Sequence, residues 1–345
     1  MAELLPYFIC GYFLQLRYQR IYENSHMIGD IQRGMLRSLV LTAAKSKMIQ
    51  NFVNENPMGK NIASRFVAGE DLASALQSAK ELNDHGITAT LDHLGENTSS
   101  IEESEATAQG YITILNAIAE HHLNANISIK LTALGLDISE DACLKNVRSV
   151  LQIAQAQDNF VRLDMEGSAY TERTLRLTHM LHAEFAESVG QVGGSVGTVI
   201  QSMLYRSSDD IDRLIEEGIR VRLVKGAYQE PSSIAFPAKN DVDENYRQIM
   251  YKLLQKGVYP AFGTHDVRLI DDAKRFAKEH DIAPAQFEFQ MLYGIRRDLQ
   301  TQLKEEGYNV RIYIPYGSQW YPYLTRRMAE RPANLFFILS NFARG

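Results

Sequence analysis

The chain has 345 residues, of which 45% are hydrophobic, and a formal net charge of -6. That length can bury a large core and suits one big α/β domain or two smaller ones, while the negative balance argues against general attraction to nucleic acid. Two cysteines, Cys10 and Cys143, are too few for a disulfide framework and fit a reducing, cytoplasmic setting.

In chain order, the first segment to explain is "LLPYFICGYFLQL" (4–16), strongly apolar yet broken by Pro6 and Gly11. It falls short of the roughly 20 apolar residues a bilayer span needs. It also lacks the basic lead and the small-residue cleavage site of a signal peptide. Residues 1–34 therefore read as an extension foreign to the domain, a packing arm or an interfacial anchor, and the domain proper is expected over 35–345. "MLRSLVLTAAKSK" from Met35 has the spacing of an amphipathic helix.

From residue 87 onward, short β-branched and apolar runs alternate with longer segments of helical period. The runs are "ITATLD" (87–92), "ISIKL" (127–131), "FVRLDM" (160–165), "GTVIQ" (197–201), "IRVRLV" (219–224), "VYPAFG" (258–263), "QFEFQM" (286–291) and "VRIYI" (310–314). The segments between them, among them "TERTLRLTHMLHAEFAE" and "DVRLIDDAKRFAKEH", are helical in period, several opened by Ser, Thr or Asp and closed by glycine. Eight strands, each followed by a helix, predict an α/β fold, a (β/α)8 barrel with its active site at the carboxyl ends of the strands.

Polar residues gather at those ends: Asp92 and His93, Lys130, Asp164 and Glu166, Gln201, Arg222 and Lys225, Thr264 with His265 and Asp266, Glu288 and Gln290, and Tyr313. Singly, each could cap a strand or satisfy backbone groups; a full ring of them points to an active site. After the eighth strand, "YLTRRMAER" sets Tyr323, Arg326, Arg327 and Glu330 on one helical stripe. Such a stripe is either a solvated face or a guanidinium pair that grips a carboxylate.

The type of chemistry narrows by elimination. A metal site would want clustered His and carboxylate ligands, and His179 and His182 lie instead in a helical segment. Lys130 and Lys225 could serve a Schiff base, although a lysine among carboxylates is more simply an ion-pair member. "GQVGGSVG" (190–197) precedes a strand and lacks the spacing of a dinucleotide fingerprint. "RLVKGAY" (222–228) puts Arg, Lys and a close-approach glycine at a strand end, which suits a pyrophosphate or an electron-rich ring as well as a plain glycine turn.

"SIKLTALG", "VRLDMEGS", "VIQSMLYRS", "VRLVKGAY", "KNDVDENY", "GTHD", "RIYIPYG" and "YLTRRMAERPANLFFIL" together resemble the proline dehydrogenase family in its short, monofunctional bacterial form. The resemblance runs from about residue 35 to the C-terminus. It implies a distorted barrel with extra N-terminal helices, its eighth helix above the mouth, that binds FAD without a Rossmann fold. By motif, Arg326 and Arg327 would clamp the carboxylate of L-proline, Glu330 would pair with Lys130, and Tyr313 and Tyr323 would pack around the pyrrolidine ring. Asp164 and Arg222 would form the catalytic pair, with Arg222 near flavin N5. Met165, Gln201, Lys225, Gly226, Ala227, Thr264 and His265 would bind the cofactor.

The implied reaction is hydride transfer from proline C5 to flavin N5, giving pyrroline-5-carboxylate, with electrons passed to a membrane quinone. Peripheral contact with the inner face of the membrane would then accompany a cytoplasmic location. Residues 1–34 and "AESVGQVGGSVG" depart from the family pattern, and a short "YGSQWYPY" turn leaves ring-substituent specificity open. The rival readings are a colourless barrel lyase or hydrolase using Lys130 or a metal, and a degenerate barrel that only binds a small carboxylate.

Overall fold

The computed structural model describes residues 63–330 apart from 96–97 and 187–191, with the side chains of 326–330 excluded. Ile62–Trp320 form one compact unit; Tyr321–Gly345 group with Met1–Asn61 in another. The expected helix at Met35 lies outside the described residues.

The first unit opens with helix α1 (Leu72–Asp84), whose N-terminus is capped by Asp71 accepting from Ser74 N at 2.8 Å. Eight strands follow: β1 (Thr88–His93), β2 (Ala125–Ile129), β3 (Val161–Leu163), β4 (Val196–Gln201), β5 (Arg220–Val224), β6 (Ala261–Gly263), β7 (Glu288–Leu292) and β8 (Asn309–Tyr316). They form a closed parallel barrel in sequence order, shut by β1 against β8 from Thr88↔Arg311 to His93↔Tyr316. Between the strands run α2 (Ile101–Glu120), α3 (Glu140–Ala156), α4 (Ser168–Glu184), α5 (Ser207–Glu216), α6 (Lys239–Lys256), α7 (Val267–Glu279) and α8 (Arg297–Glu305). Helix α9 (Trp320–Glu330) follows β8. The (β/α)8 expectation from the strand pattern is met.

Period-two alternation explains the layering. Leu91, Ile127, Ile129, Leu163, Leu223, Phe262, Phe289 and Ile312 are fully buried in the apolar layer shared with the helices. The alternate positions Thr90, Asn126, Ser128, Arg162, Arg222, Glu288, Gln290 and Arg311 are buried as well, yet polar. Side chains from non-adjacent strands bond to one another, as Arg222 on β5 does to Ser128 on β2, which is possible only across the interior. Barrel interiors are usually filled by bulky branched residues; this one is filled by hydrogen-bonding and charged groups.

Several expected boundaries shift for local reasons. Strand β2 ends at Ile129, so Lys130 sits just past it and not within it. Strand β6 starts at Ala261 and not at 258, because Tyr259 takes φ 42° and Pro260 has no amide to give a ladder. The segment "YGIRRDLQTQLKEEG" (293–307), helical in period between the seventh and eighth runs, begins as a helix only at Arg297, after Gly294 and Arg296 adopt φ 75° and 51°. A Cβ at Gly294 would collide with the Arg65 carbonyl, so the backbone can pass there only beside glycine.

Candidate active site

Four strands converge on Asp164. From β5, Arg222 Nη2 donates to Asp164 Oδ1 at 2.7 Å and to Ser128 Oγ of β2 at 2.6 Å. From β8, the Tyr313 hydroxyl donates to Asp164 Oδ2 at 2.8 Å, and the Arg222 guanidinium lies 5.2 Å from the Tyr313 ring centroid. Both carboxylate oxygens of Asp164 are thus engaged. Burial, reinforced by the Asp164 charge, pushes the Tyr313 phenol well above its usual range, so Tyr313 is a neutral donor. Arg222 Nε is buried with no hydrogen-bond partner.

Beside this cluster, Lys130 Nζ lies 3.2 Å from Asp92 Oδ1 at the end of β1. Burial pushes the Asp92 carboxyl up against the pull of Lys130, and the nearby Asp164 charge adds to the rise. His93 is shifted down, first by burial.

Deeper in the barrel, Arg311 Nε reaches Glu288 Oε1 at 3.0 Å and Oε2 at 3.1 Å, while its Nη1 donates to Ala89 O at 2.8 Å. Gln290 Nε2 adds a 2.5 Å bond to Glu288. Burial alone would raise the Glu288 carboxyl, but Arg311, Gln290 and Arg220 together hold it below its ordinary range. Arg162, buried nearby, gives its Nη1 protons to the carbonyls of Thr198 and Arg220 at 3.0 and 2.8 Å.

At the rim, Lys225 lies between Asp243 (2.5 Å) and Asp266 (3.0 Å). Arg268 and Lys225 outweigh the effect of burial and hold the Asp266 carboxyl well below its usual range. A charged cleft of about 230 Å³ beside them is lined by Asn240, Asp243, Arg247, Asp266 and Arg268, with no residue of the Asp164 cluster in its lining. Thr264 Oγ1 accepts from Asp266 N at 3.1 Å, and His265 Nε2 accepts from Leu292 N at 3.0 Å, which leaves the His265 proton on Nδ1. Gln201 Nε2 donates to Glu166 O at 2.9 Å, and the Glu166 carboxylate accepts from Thr132 Oγ1 at 2.7 Å. Gly226 stands at φ 109° with the Met203 side chain against it, so a side chain there would be strained and would have to displace Met203. Met165 is buried next to Asp164, and Ala227 continues the loop from Gly226.

The structure therefore gathers Asp164, Arg222, Tyr313 and Lys130 inside the barrel and sets Gln201, Lys225, Gly226, Thr264 and His265 around them on the strand ends. Tyr323 lies on α9. The side chains of Arg326, Arg327 and Glu330 lie outside the described residues, and with them the expected Glu330–Lys130 pair and the expected position of that helix. Sequence reasoning missed Ser128 and Asp243. Ser128 precedes Lys130 by one strand period and could have been found from that spacing; Asp243 lies in a helix (Lys239–Lys256), and the only signal for it was its place in the "KNDVDENY" motif. His179 and His182 serve α4, bonding to the Glu217 carboxylate at 2.7 Å and the Glu217 carbonyl at 3.1 Å. Among the described residues, no group of three or more His, Cys, Asp or Glu could hold a metal ion, and no helix is long and apolar enough to cross a membrane.

The chain resembles known proteins over most of its length. A family model described as proline dehydrogenase matches residues 75–339. The chain is 40% identical over 311 residues to Proline dehydrogenase 1 of Bacillus subtilis (strain 168), covering 90% of this chain and 100% of that one. It is 41% identical over 315 residues to the proline dehydrogenase of Deinococcus radiodurans, covering 90% and 99%. Among solved structures, proline utilization A from Bdellovibrio bacteriovorus, inactivated by N-propargylglycine, matches with a TM-score of 0.75 and 26% identity. That match covers 92% of this chain and 38% of the other, so the chain spans little more than a third of that protein.

Proposed function

Since the chain belongs to the proline dehydrogenase family, we propose that it oxidises L-proline to pyrroline-5-carboxylate with FAD as its cofactor. The observation that carries the cofactor is Arg222 Nε, a buried donor with no partner beside an otherwise fully bonded Asp164. Leaving such a donor unmade costs about 1–3 kcal/mol, and an electron-rich heteroaromatic acceptor would relieve it. Arg222, Gln201, Met165, Lys225, Gly226, Ala227, Thr264 and His265 are the residues that would hold the flavin, its ribityl chain and its phosphates. Bound FAD supplies the acceptor for hydride leaving proline C5 and the route for electrons onward to a membrane quinone.

The protein's own groups do the positioning. Asp164 neutralises Arg222 and, with both oxygens engaged, is a fixed acceptor and not the base for the substrate amine. Proline would bind as the free amine or lose its proton to water. Lys130 is held at 3.2 Å from Asp92 beside the Asp164 cluster. By the spacing of "YLTRRMAE" and the family resemblance it carries, Arg326 and Arg327 would hold the substrate carboxylate, Glu330 would pair with Lys130, and Tyr313 and Tyr323 would flank the ring. Fixing a small substrate in this way can supply several kcal/mol of the barrier.

The test is the visible spectrum of the purified protein before and after anaerobic L-proline. The expected result is a flavin band, native or after adding FAD, that bleaches with proline. A colourless protein that takes up no FAD, or that borohydride inactivates with a carbonyl substrate through Lys130, would overturn the proposal in favour of a lyase.

A further inference from the structure

The loop between β5 and α6 carries Lys225, Gly226 and Ala227. Its far end is pinned by an isolated bridge between Leu204 and Ala235, by Phe236 N donating to Met203 O at 2.8 Å, and by Tyr205 N donating to Ile234 O at 3.0 Å. Its near end is tied at one point, by Met203 N donating to Lys225 O at 2.9 Å, and the stretch beyond, to Glu230, is held differently. Helix α4 starts behind Gly167, which has no side chain to cap it, so the first-turn amides need an acceptor from elsewhere. Glu230 provides one: Ser168 N donates to its Oε1 at 2.7 Å, and the Ser168 hydroxyl donates to its Oε2. A carboxylate is well placed at a helix N-terminus, where the dipole and the charge-assisted bonds both favour it.

The position of this carboxylate gives it a second consequence. Ser168 follows shortly after Asp164 on the β3 side, and Glu230 follows shortly after Arg222 on the β5 side. The same two segments are therefore tied twice, by Asp164–Arg222 inside the barrel and by Ser168–Glu230 at the rim. Between them, Gln201 of β4 bonds to Glu166 O. We propose that Glu230 is a positioning residue that, by clasping Ser168, fixes the loop backbone at Lys225–Ala227 relative to the Asp164–Arg222 pair and so sets how tightly the flavin is held. This rests on the flavin reading above.

A cap and a clasp can be separated in the full-length protein. Gly167 has φ -58° and ψ 161°, open to any residue, and a Cβ there would meet only ordinary contacts, Glu230 Oε1 at 3.7 Å and Tyr228 Cδ1 at 3.8 Å. Gly167→Asp can therefore cap α4 from its own chain while leaving the loop untied. Glu230→Ala is expected to lower the unfolding temperature, to raise the FAD dissociation constant about tenfold, and to speed hydrogen exchange of the 225–230 amides. Adding Gly167→Asp should restore the unfolding temperature but neither the FAD affinity nor the loop protection. If the double variant recovers all three, Glu230 is a helix cap only and the proposal fails. If wild type takes up FAD and Glu230→Ala binds it equally well, the clasp alone is overturned; wild type that takes up no FAD overturns the flavin reading and this proposal with it.

Discussion

Asp164 sits where two donors meet, and their worth differs by kind. The Arg222 bond joins two charges with little solvent, whereas the Tyr313 bond joins a neutral phenol to a carboxylate that keeps its ion pair without it. Breaking a buried ion pair from one side costs about 3–5 kcal/mol, because the remaining charge is left uncompensated; removing a neutral hydroxyl costs about 0.5–1.5 kcal/mol. Asp164→Asn should therefore destabilise the protein several times more than Tyr313→Phe in urea unfolding followed by circular dichroism. Equal losses would mean that the guanidinium finds another counter-charge. Asp164 and Arg222 were legible as strand-end residues in the sequence, and the family resemblance implied that they pair; strand periodicity alone could not show it, since the two are separated along the chain and joined only across the barrel.

Among the elements, β7, β8 and β1 share one buried arginine. Arg311 grips Glu288 on β7 through Nε and reaches the Ala89 carbonyl on β1 through Nη1, so a single side chain reinforces the seam where the barrel closes. Glu288 is the carboxylate among Arg162, Arg220 and Arg311, all buried. Glu288→Gln keeps the shape and the amide-compatible bonds but leaves those guanidiniums facing one another, and a loss of about 3–5 kcal/mol is expected in the same unfolding measurement. A change below about 1 kcal/mol would imply that the carbonyl bonds of Arg162 already absorb the charge. The strands themselves could be read from β-branched runs. The β6 start and the α8 start could not, because positive φ at Tyr259 and Arg296 overrides a pattern of side chains.

For the whole molecule, acid stability should follow opposing groups. Glu288, Asp243 and Asp266 have carboxyls held below their ordinary range, so their contribution is present above about pH 4 and is lost as pH falls through their folded values. Asp92 works the other way: burial raises it, so the folded protein takes up its proton before the unfolded chain does and gains stability as pH falls. Asp92→Asn removes that cushion, and its denaturation midpoint should fall more steeply than that of wild type between about pH 7 and about pH 4. Parallel curves would show that Asp92 stays ionised in the fold.

By itself the amino-acid sequence determined the barrel, because eight alternating runs with capped helices between them leave few other ways to bury so much apolar surface. It also determined the family, because the strand-end motifs carry chemistry at fixed places in the chain. Only the tertiary structure decided which of those groups meet. Closing the barrel brings Ser128, Asp164, Arg222 and Tyr313 within hydrogen-bond reach, puts Lys225 between two carboxylates, and lets Glu230 cap a helix from a distant loop. Those contacts depend on distances across the interior, and the periodicity of a single strand or helix carries no record of them.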